Sequence, residues 1–190
     1  MNGAPLPHWN GFPARVIVPG WTATYWMKQV VSITALTTPL KSFWVNTAYR
    51  IPKGKFAGVD RFVSQESETT TPITEMVVNS LITNLTDGQR VRVGQAVLAK
   101  GIAWDGGYGI RRVECSLDDG RTWQTVELGA DLGRYSFRPW QFAFTPRVRG
   151  PLALQARASN ALGASQTSEL IFNGPGYHNN VFHKIGIEIT

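Results

Sequence analysis

The sequence contains one cysteine, Cys115, which excludes an internal disulfide and a cysteine-based zinc site. It has no apolar run approaching the roughly 20 residues that a membrane-spanning helix needs. The first residues have neither the basic region nor the apolar region of a signal peptide, so we expect none in this chain. The motifs of serine hydrolases, phosphate-binding loops and dinucleotide-binding folds are also absent, so no catalytic residue is assigned.

The excess of positive over negative charge is small. Nineteen Lys and Arg residues against thirteen Asp and Glu residues give a net charge of +6, and the positive residues are spread thinly. Nucleic-acid binding needs a concentrated basic patch, so we expect none, and a mildly basic docking surface for an acidic protein is favoured. His8, His178 and His183 lack both the close spacing and the neighbouring carboxylates of a metal site, so no metal ligand is predicted.

Residues 75–190 have the pattern of an all-β domain. Turn signals recur there at the spacing typical of a β-sandwich. In segments 112–117 and 152–158, apolar and polar residues alternate, which predicts strands with one buried face. The alternation places Cys115 on the buried face, so we interpret it as an inert core thiol. No helix and no internal repeat is evident.

Two glycine-containing segments are predicted to be tight hairpins. Asp118–Trp123 contains an Asp-Gly pair that permits the positive φ of a hairpin turn. Asp105–Gly109 resembles a phosphate cradle, but strands rather than a helix are expected around it, which favours a hairpin. The glycosylation sequon at Asn84–Thr86 is treated as a chance occurrence.

The first third of the chain is less regular. Ala14–Val18 predicts a strand that ends at a Pro-Gly turn, and Trp26–Ile33 predicts a second strand or an extended run. Residues 36–74 have no clear period and are predicted to form a connector. Its Ser/Glu/Thr-rich stretch, residues 64–71, is expected to be exposed.

The amino-terminal segment has features of an anion site. Asn10, Arg15 and Lys28 lie among glycines, prolines and aromatic residues. Arginine and lysine beside glycines that permit close approach suit an anionic ligand such as a phosphate or a pyranopterin. Exposed strands often carry arginine and lysine without such a role, so the residues alone leave both interpretations open.

Several long motifs resemble the sulfite oxidase family. Residues 1–20, followed by Tyr25–Lys28, resemble the last stretch of its molybdopterin-binding domain and look most like bacterial sulfite:cytochrome c oxidoreductases. Further similar motifs extend the resemblance over essentially the whole chain: Ala48–Pro52, Val78–Thr83, Gly101–Ile110, Leu132–Arg138, Phe172–Tyr177 and Asn180-Val181.

The resemblance implies three parts. Residues 1–35 would be the carboxy-terminal end of the molybdopterin-binding domain, and residues 36–74 would be a connector. Residues 75–190 would be the immunoglobulin-like β-sandwich that dimerises the family, which agrees with the predicted strands.

The resemblance also implies residue roles. In the family, a His or Asn before Gly-Phe-Pro, the following Arg and a Lys after a Pro-Gly turn contact the molybdopterin. The matching positions are Asn10, Arg15 and Lys28, with Trp26 and Met27 supplying neighbouring backbone. The family's molybdenum-ligating cysteine lies in the preceding domain, and the cysteine of this chain is in the wrong domain to replace it. We therefore expect the chain alone to hold no cofactor and to be inactive.

The implied parent enzyme oxidises sulfite with water at molybdenum and passes electrons to a haem subunit or cytochrome c. The resemblance further implies a homodimer and a periplasmic location, without a membrane or nucleic-acid partner. At Pro175, however, animal sulfite oxidases have an arginine that helps to bind sulfite, and proline offers no donor. This departure leaves room for a nitrate reductase or a sulfur-compound dehydrogenase.

A different class of function is a stand-alone β-sandwich that serves only as a binding or dimerisation module. In that case residues 1–35 would pack on the sandwich as an added hairpin. A piece of a larger enzyme would instead expose an apolar patch, expected near Trp21, Tyr25 and Trp26.

Overall fold

The computed structural model of the 190-residue chain describes residues 3–56 and 65–190. These residues form two compact units. The first unit comprises residues 1–76 and 173–177, and the second comprises residues 77–172 and 178–190.

The first unit contains little regular structure. It has 3-10 turns at His8–Asn10 and Ala23–Tyr25 and a π-helical turn at Trp44–Ala48. Its two strands, β1 (Arg50–Pro52) and β2 (Thr70–Pro72), pair antiparallel.

The prediction of a strand at Ala14–Val18 is wrong, because this segment forms no regular strand. Residues 26–33 form no regular strand either. Only scattered backbone bonds join them: the Val16 N–H donates to the Met27 carbonyl (2.9 Å), and the Val30 N–H donates to the Ala14 carbonyl (3.0 Å). Gln29, at a φ of 47°, interrupts the second segment between these bonds, so no continuous ladder forms.

The predicted connector is more ordered than its sequence indicates. It contains β1, β2 and the π-helical turn. Within its polar stretch, residues 67–69 are exposed as predicted, but Thr71 is fully buried in β2. Ser64 lies outside the described residues.

The second unit contains two sheets. One has the order β4-β11-β10-β6-β7 and the other the order β3-β5-β9-β8. All pairs are antiparallel except β4 with β11, which is parallel. The strands are β3 (Asn79–Ile82), β4 (Gln89–Val91), β5 (Val97–Trp104), β6 (Ile110–Ser116), β7 (Gln124–Thr125), β8 (Glu127–Leu128), β9 (Arg138–Phe144), β10 (Gly150–Asn160) and β11 (His183–Ile189).

The core lies between the two sheets, which confirms the predicted β-sandwich. Ala99 and Ala103 of β5 face it from one sheet, and Val113 of β6 and Leu154 of β10 face it from the other. Cys115 is fully buried in the same cluster, and burial raises the pKa of its thiol to about 12. The core position of the cysteine is therefore confirmed. The predicted alternation holds for most of both segments, but Ser116 and Gln155, expected to face outward, are buried as well.

The two predicted hairpins differ in outcome. Asp118–Trp123 does connect an antiparallel pair, β6 and β7, and Asp119 and Gly120 have φ values of 59° and 83°. The prediction for Asp105–Gly109 is wrong, because this turn joins β5 of one sheet to β6 of the other. The Asp105 Oδ1 atom shapes the turn by accepting the backbone N–H groups of residues 107, 108 and 109 at 2.9, 3.1 and 3.3 Å.

Over residues 3–56 and 65–190, no helix has the length and apolar content to cross a bilayer. The same ranges hold no group of three or more His, Cys, Asp or Glu side chains that could bind a metal ion.

Candidate functional site

The predicted anion site is built on a sharp turn near the amino end. The 3-10 turn His8–Asn10 is capped by Gly11, whose φ of 112° is left-handed and whose N–H donates to the His8 carbonyl. A non-glycine residue is strained at such a φ. The turn sends the chain back toward the segment that contains Lys28.

Gly11 is the point where the two cationic residues meet. A Cβ atom placed there would lie 3.1 Å from the Lys28 Cα atom and 3.2 Å from the Arg15 Cβ atom. A side chain at this position would be crowded by both residues, in addition to the strain of the positive φ. The Gly11 carbonyl also accepts the Gln29 N–H at 3.3 Å. Arg15 and Lys28, 13 positions apart in sequence, therefore flank one glycine.

Both cations are held by carbonyl oxygens of the turn. The Lys28 Nζ atom donates to the Trp9 carbonyl at 2.7 Å, and the Arg15 Nη1 atom donates to the Asn10 carbonyl at 3.4 Å. The Arg15 guanidinium carbon lies 5.7 Å from the centre of the Trp26 ring. No carboxylate pairs with either cation within the described part of the chain, so their charges are available to an anion.

The residues present fit an anionic cofactor group. The Arg15 Nε atom is buried and has no hydrogen-bond partner among the described residues, although a buried donor of this kind normally has one. Two adjacent cations with unused donors suit a phosphate or the polar edge of a pyranopterin.

Asn10 and Met27, which were also predicted to belong to the site, lie beside Arg15 and Lys28. Asn10 is exposed, and its side chain makes no hydrogen bond with the described residues. Met27 contributes its backbone carbonyl to the Val16 N–H, while its side chain is exposed. All five predicted residues lie in the two segments that meet at Gly11, residues 8–15 and 26–29, which we call the Gly11 strip. Their contact with a cofactor stays a prediction.

Gln29 belongs to this strip and was missed by the sequence interpretation. Its Nε2 atom donates to the His8 carbonyl at 2.9 Å, which ties the second segment to the turn. Its positive φ of 47° has no sequence signal, because glutamine rarely adopts it. Only its position next to Lys28 could have pointed to it.

A second feature of the first unit is a cavity of about 640 Å³ lined by Arg50, Glu66 and residues 173–175. The Arg50 guanidinium donates to the carbonyls of Val45, Gln65 and Thr70 at 2.9 Å each and to the Thr70 Oγ1 atom at 2.8 Å. Arg50 therefore builds the wall of the cavity, and its donors are already occupied.

Pro175 lines this cavity and offers no donor there. Lys53 lies nearby in sequence, but its Nζ atom is paired with the Glu66 carboxylate at 2.6 Å. An oxyanion in the cavity would find the Arg50 donors already bonded to neutral oxygens, the Lys53 charge paired with Glu66, and no donor from Pro175.

The three aromatic residues near which an exposed apolar patch was expected are partly covered. Trp21, Tyr25 and Trp26 are half-buried, and the Tyr25 hydroxyl donates to the Ile73 carbonyl while the Trp26 Nε1 atom donates to the Val18 carbonyl. These three residues are therefore not themselves exposed, while Met27, the neighbour of Trp26 in sequence, is. The exposed large apolar side chains are Trp9, Phe12, Ile17, Met27, Val31, Ile33, Leu36, Leu40, Phe43 and Trp44.

Comparison with known families assigns both parts of the chain. The family described as the Mo-co oxidoreductase dimerisation domain matches residues 70–190. The family described as the oxidoreductase molybdopterin binding domain matches residues 1–44, which include the strip around Gly11. These matches confirm the family resemblance and the class of cofactor expected from it.

Curated relatives cover the whole chain. Mitochondrial sulfite oxidase of Homo sapiens is 31% identical over 198 residues, which span 100% of this chain and 35% of the relative. Sulfite oxidase of Gallus gallus is 35% identical over 75% of this chain and 30% of its own length. A nitrate reductase of Hordeum vulgare is 27% identical over 100% of this chain and 23% of its own length.

The fold is shared with a solved structure, the sulfane dehydrogenase SoxCD of Paracoccus pantotrophus. The TM-score is 0.73 at 22% identity, over 94% of this chain and 44% of the other. The chain spans about a third of the length of the sulfite oxidases to which it is similar.

Proposed function

Because the chain belongs to the molybdopterin oxidoreductases of the sulfite oxidase family, we propose that it forms part of the cofactor site and the dimerisation domain of a sulfite-oxidising molybdenum enzyme. The observation that carries this proposal is the convergence of Arg15 and Lys28 on Gly11. It occurs within the segment that matches the molybdopterin-binding family.

In this proposal, Arg15 and Lys28 bind the anionic part of the molybdopterin. Their carbonyl contacts fix where the charges lie before the cofactor arrives, which limits the entropy lost on binding. Asn10 adds an exposed amide, and the Met27 backbone and the Trp26 ring hold the neighbouring chain in place. When bound, the cofactor would supply the two-electron oxidation of sulfite to sulfate, in which water provides the oxygen atom and the haem subunit or cytochrome c receives the electrons.

The chain alone is inactive under this proposal. A thiolate is needed to ligate the metal, and the one cysteine of the sequence is buried with a pKa near 12. The purified chain is expected to hold no stoichiometric molybdenum and to reduce no cytochrome c with sulfite. Sulfite-dependent turnover by the purified chain would contradict this part.

The site assignment is tested in an enzyme that joins this chain to a cysteine-bearing molybdopterin-binding domain. Arg15→Gln and Lys28→Gln are each expected to lower the molybdopterin content, measured as fluorescence of the oxidised pterin after release. Arg147→Gln, an exposed arginine of the other unit, is the matched control. Equal cofactor content in all three variants would overturn the assignment.

We propose a homodimer that passes electrons to a haem subunit or cytochrome c and works in the periplasm. The match to a dimerisation domain over residues 70–190 supports the homodimer, and family similarity alone supports the acceptor and the location. Sedimentation of the chain at increasing concentration is expected to show a monomer–dimer equilibrium. A monomer throughout would count against the homodimer.

A second candidate is a related molybdenum enzyme with another substrate. It is favoured by Pro175, which lines the cavity beside Arg50 without offering a donor. The nitrate reductase among the relatives is consistent with it. Comparing turnover of sulfite, a sulfane substrate and nitrate by the joined enzyme separates the two, since the first proposal requires sulfite to be the best substrate.

A further inference from the structure

The outer face of the five-stranded sheet carries an arginine-lined groove. Val113 of β6 and Ala156 of β10 point into the core, so the residues that alternate with them face outward. The groove has a volume of about 610 Å³ and is lined by Arg111, Arg112 and Arg157 together with Glu114. Three arginines and one glutamate give it a net charge of +2.

A β-bulge directs two consecutive arginines into this groove. In the pairing of β6 with β10, Ser159 faces Arg112 while Asn160 faces Ile110, so Arg111 has no partner residue. In a regular strand, neighbouring side chains point to opposite faces. The extra residue lets both Arg111 and Arg112 line the same cavity, and bulges commonly re-aim side chains in this way.

Glu114 positions two of the arginines through their Nε atoms and leaves their terminal Nη groups free to bind a ligand. Its Oε2 atom lies 2.9 Å from the Arg157 Nε atom and 3.4 Å from the Arg112 Nε atom. Neither arginine uses its terminal Nη groups in a hydrogen bond within residues 3–56 and 65–190. The shared carboxylate therefore holds two guanidinium groups side by side and leaves their paired donors available.

Arg157 is held further by aromatic rings. Its guanidinium carbon lies 4.0 Å from the centre of the Trp123 ring and 5.9 Å from the Phe182 ring. Stacking on an aromatic face orients the planar guanidinium. In contrast, Arg111 has no hydrogen-bond or ion-pair partner among the described residues and is exposed, so its full charge remains available.

Neutral donors complete the groove. The Asn160 Oδ1 atom accepts the N–H groups of Leu162 and Ala164 at 3.1 and 3.0 Å. This fixes the orientation of the amide, and its Nδ2 donor makes no hydrogen bond with the described residues. The Thr125 and Ser159 hydroxyls also line the cavity.

We propose that this groove is a binding site for a tetrahedral oxyanion, of the sulfate or phosphate type. Guanidinium forks bind such groups through pairs of parallel hydrogen bonds. The amide and hydroxyl donors then reach the remaining oxygens. The proposal depends on residues of the second unit and does not depend on the proposed function.

The test is calorimetric titration of the full chain with sodium sulfate and with sodium phosphate at constant ionic strength. Saturable 1:1 binding is expected for both anions. Acetate, a planar anion, is the comparison ligand and is expected to bind more weakly. Absence of saturable binding, or acetate binding as tight as sulfate binding, would overturn the proposal.

Variants locate the binding. Arg111→Gln and Arg112→Gln are each expected to weaken sulfate binding about tenfold, since hydrogen bonds to charged groups are the strong ones. Because Arg111 is exposed and has no hydrogen-bond or ion-pair partner among the described residues, its variant should unfold at the same temperature as the unaltered chain. Arg147→Gln removes an equal charge outside the groove and should bind unchanged. An equal loss in all three variants would mean a general charge effect and would refute the site.

Discussion

Burial shifts the pKa of single side chains in the second unit, and Cys115 shows the effect most clearly. Its side chain is fully enclosed by the core, and removal from water disfavours the charged thiolate. The pKa of about 12 leaves almost no thiolate near neutral pH. A residue that would be a candidate nucleophile on an exposed loop is here a small apolar group.

Cys115 is therefore expected to resist thiol reagents in the native protein. With an aromatic disulfide reagent at pH 8, labelling should proceed only as fast as the fold opens. One equivalent should react at once in denaturant. The measurement is the absorbance of the released thiolate, and rapid stoichiometric labelling of the native chain would contradict the core position.

A second residue-scale prediction concerns His183. Its Nδ1 atom accepts the Ile82 N–H at 2.9 Å, which requires the neutral ring, and burial lowers its pKa. A lowered pKa means that the folded state binds fewer protons than the unfolded state. The stabilisation is thus complete above the unfolded value of about 6.5 and is lost as the pH falls through the folded pKa.

The free energy of unfolding is expected to decrease from pH 7 to pH 5 in urea titrations. His183→Asn keeps a carbonyl acceptor and cannot titrate in this range, so its decrease should be smaller. The pKa of His178 is also lowered, to about 4, which adds a pH dependence that both proteins share. Identical pH profiles would show that His183 does not contribute.

At the scale of elements, one glycine controls the packing of the four-stranded sheet. Gly101 of β5 faces Trp140 of β9 and Ile82 of β3. A Cβ atom at this position would overlap the Trp140 ring and the Leu81 carbonyl. The Trp140 side chain, itself buried, thus covers the strand where the glycine leaves room.

Gly101→Ala is expected to destabilise the protein by about 1–3 kcal/mol, the usual cost of overpacking. The measurement is the free energy of unfolding from urea titrations. Gly174→Ala makes the same chemical change where no atom lies within 4 Å, and it should change stability by less than about 0.5 kcal/mol. An equal effect of both variants would exclude overlap with Trp140 as the cause.

Strands with one buried face could be predicted from the alternation of apolar and polar residues in the sequence. Turns and irregular segments, which have no such alternation, could not. Alternation identified β6 and β10 because each faces a single core. The Asp105–Gly109 turn has typical hairpin residues, yet turn chemistry does not determine which sheet receives the next strand. Likewise, Gln29 was missed because its positive φ depends on contacts with distant residues.

At the scale of the whole molecule, the two units differ in the size of the apolar core that each encloses. The second unit encloses an aliphatic core between two sheets, and it also exposes some large apolar side chains, such as Val148 at 77% and Leu162 at 63%. The first unit exposes many large apolar side chains, including Val31 at 96% and Ile33 at 83%. Large exposed apolar patches mark interaction sites, and a segment that packs against further protein is expected to carry such side chains.

The purified chain is therefore expected to enhance the fluorescence of an apolar dye such as anilinonaphthalene sulfonate under native conditions. The double variant Val31→Asp/Ile33→Asp should reduce the enhancement several-fold without changing the unfolding temperature. A native chain that fails to bind the dye would show that this surface is covered in solution.

The position of β11 has a consequence for synthesis. Residues 183–189 lie between β4 and β10, and they pair with β4 almost a hundred positions earlier in the chain. The five-stranded sheet cannot close until residue 189 has left the ribosome, about a hundred residues after β4. Until then β4 and β10 present bare edges that invite mispairing, so a nascent chain that stalls before residue 183 would be a target for chaperones and proteases.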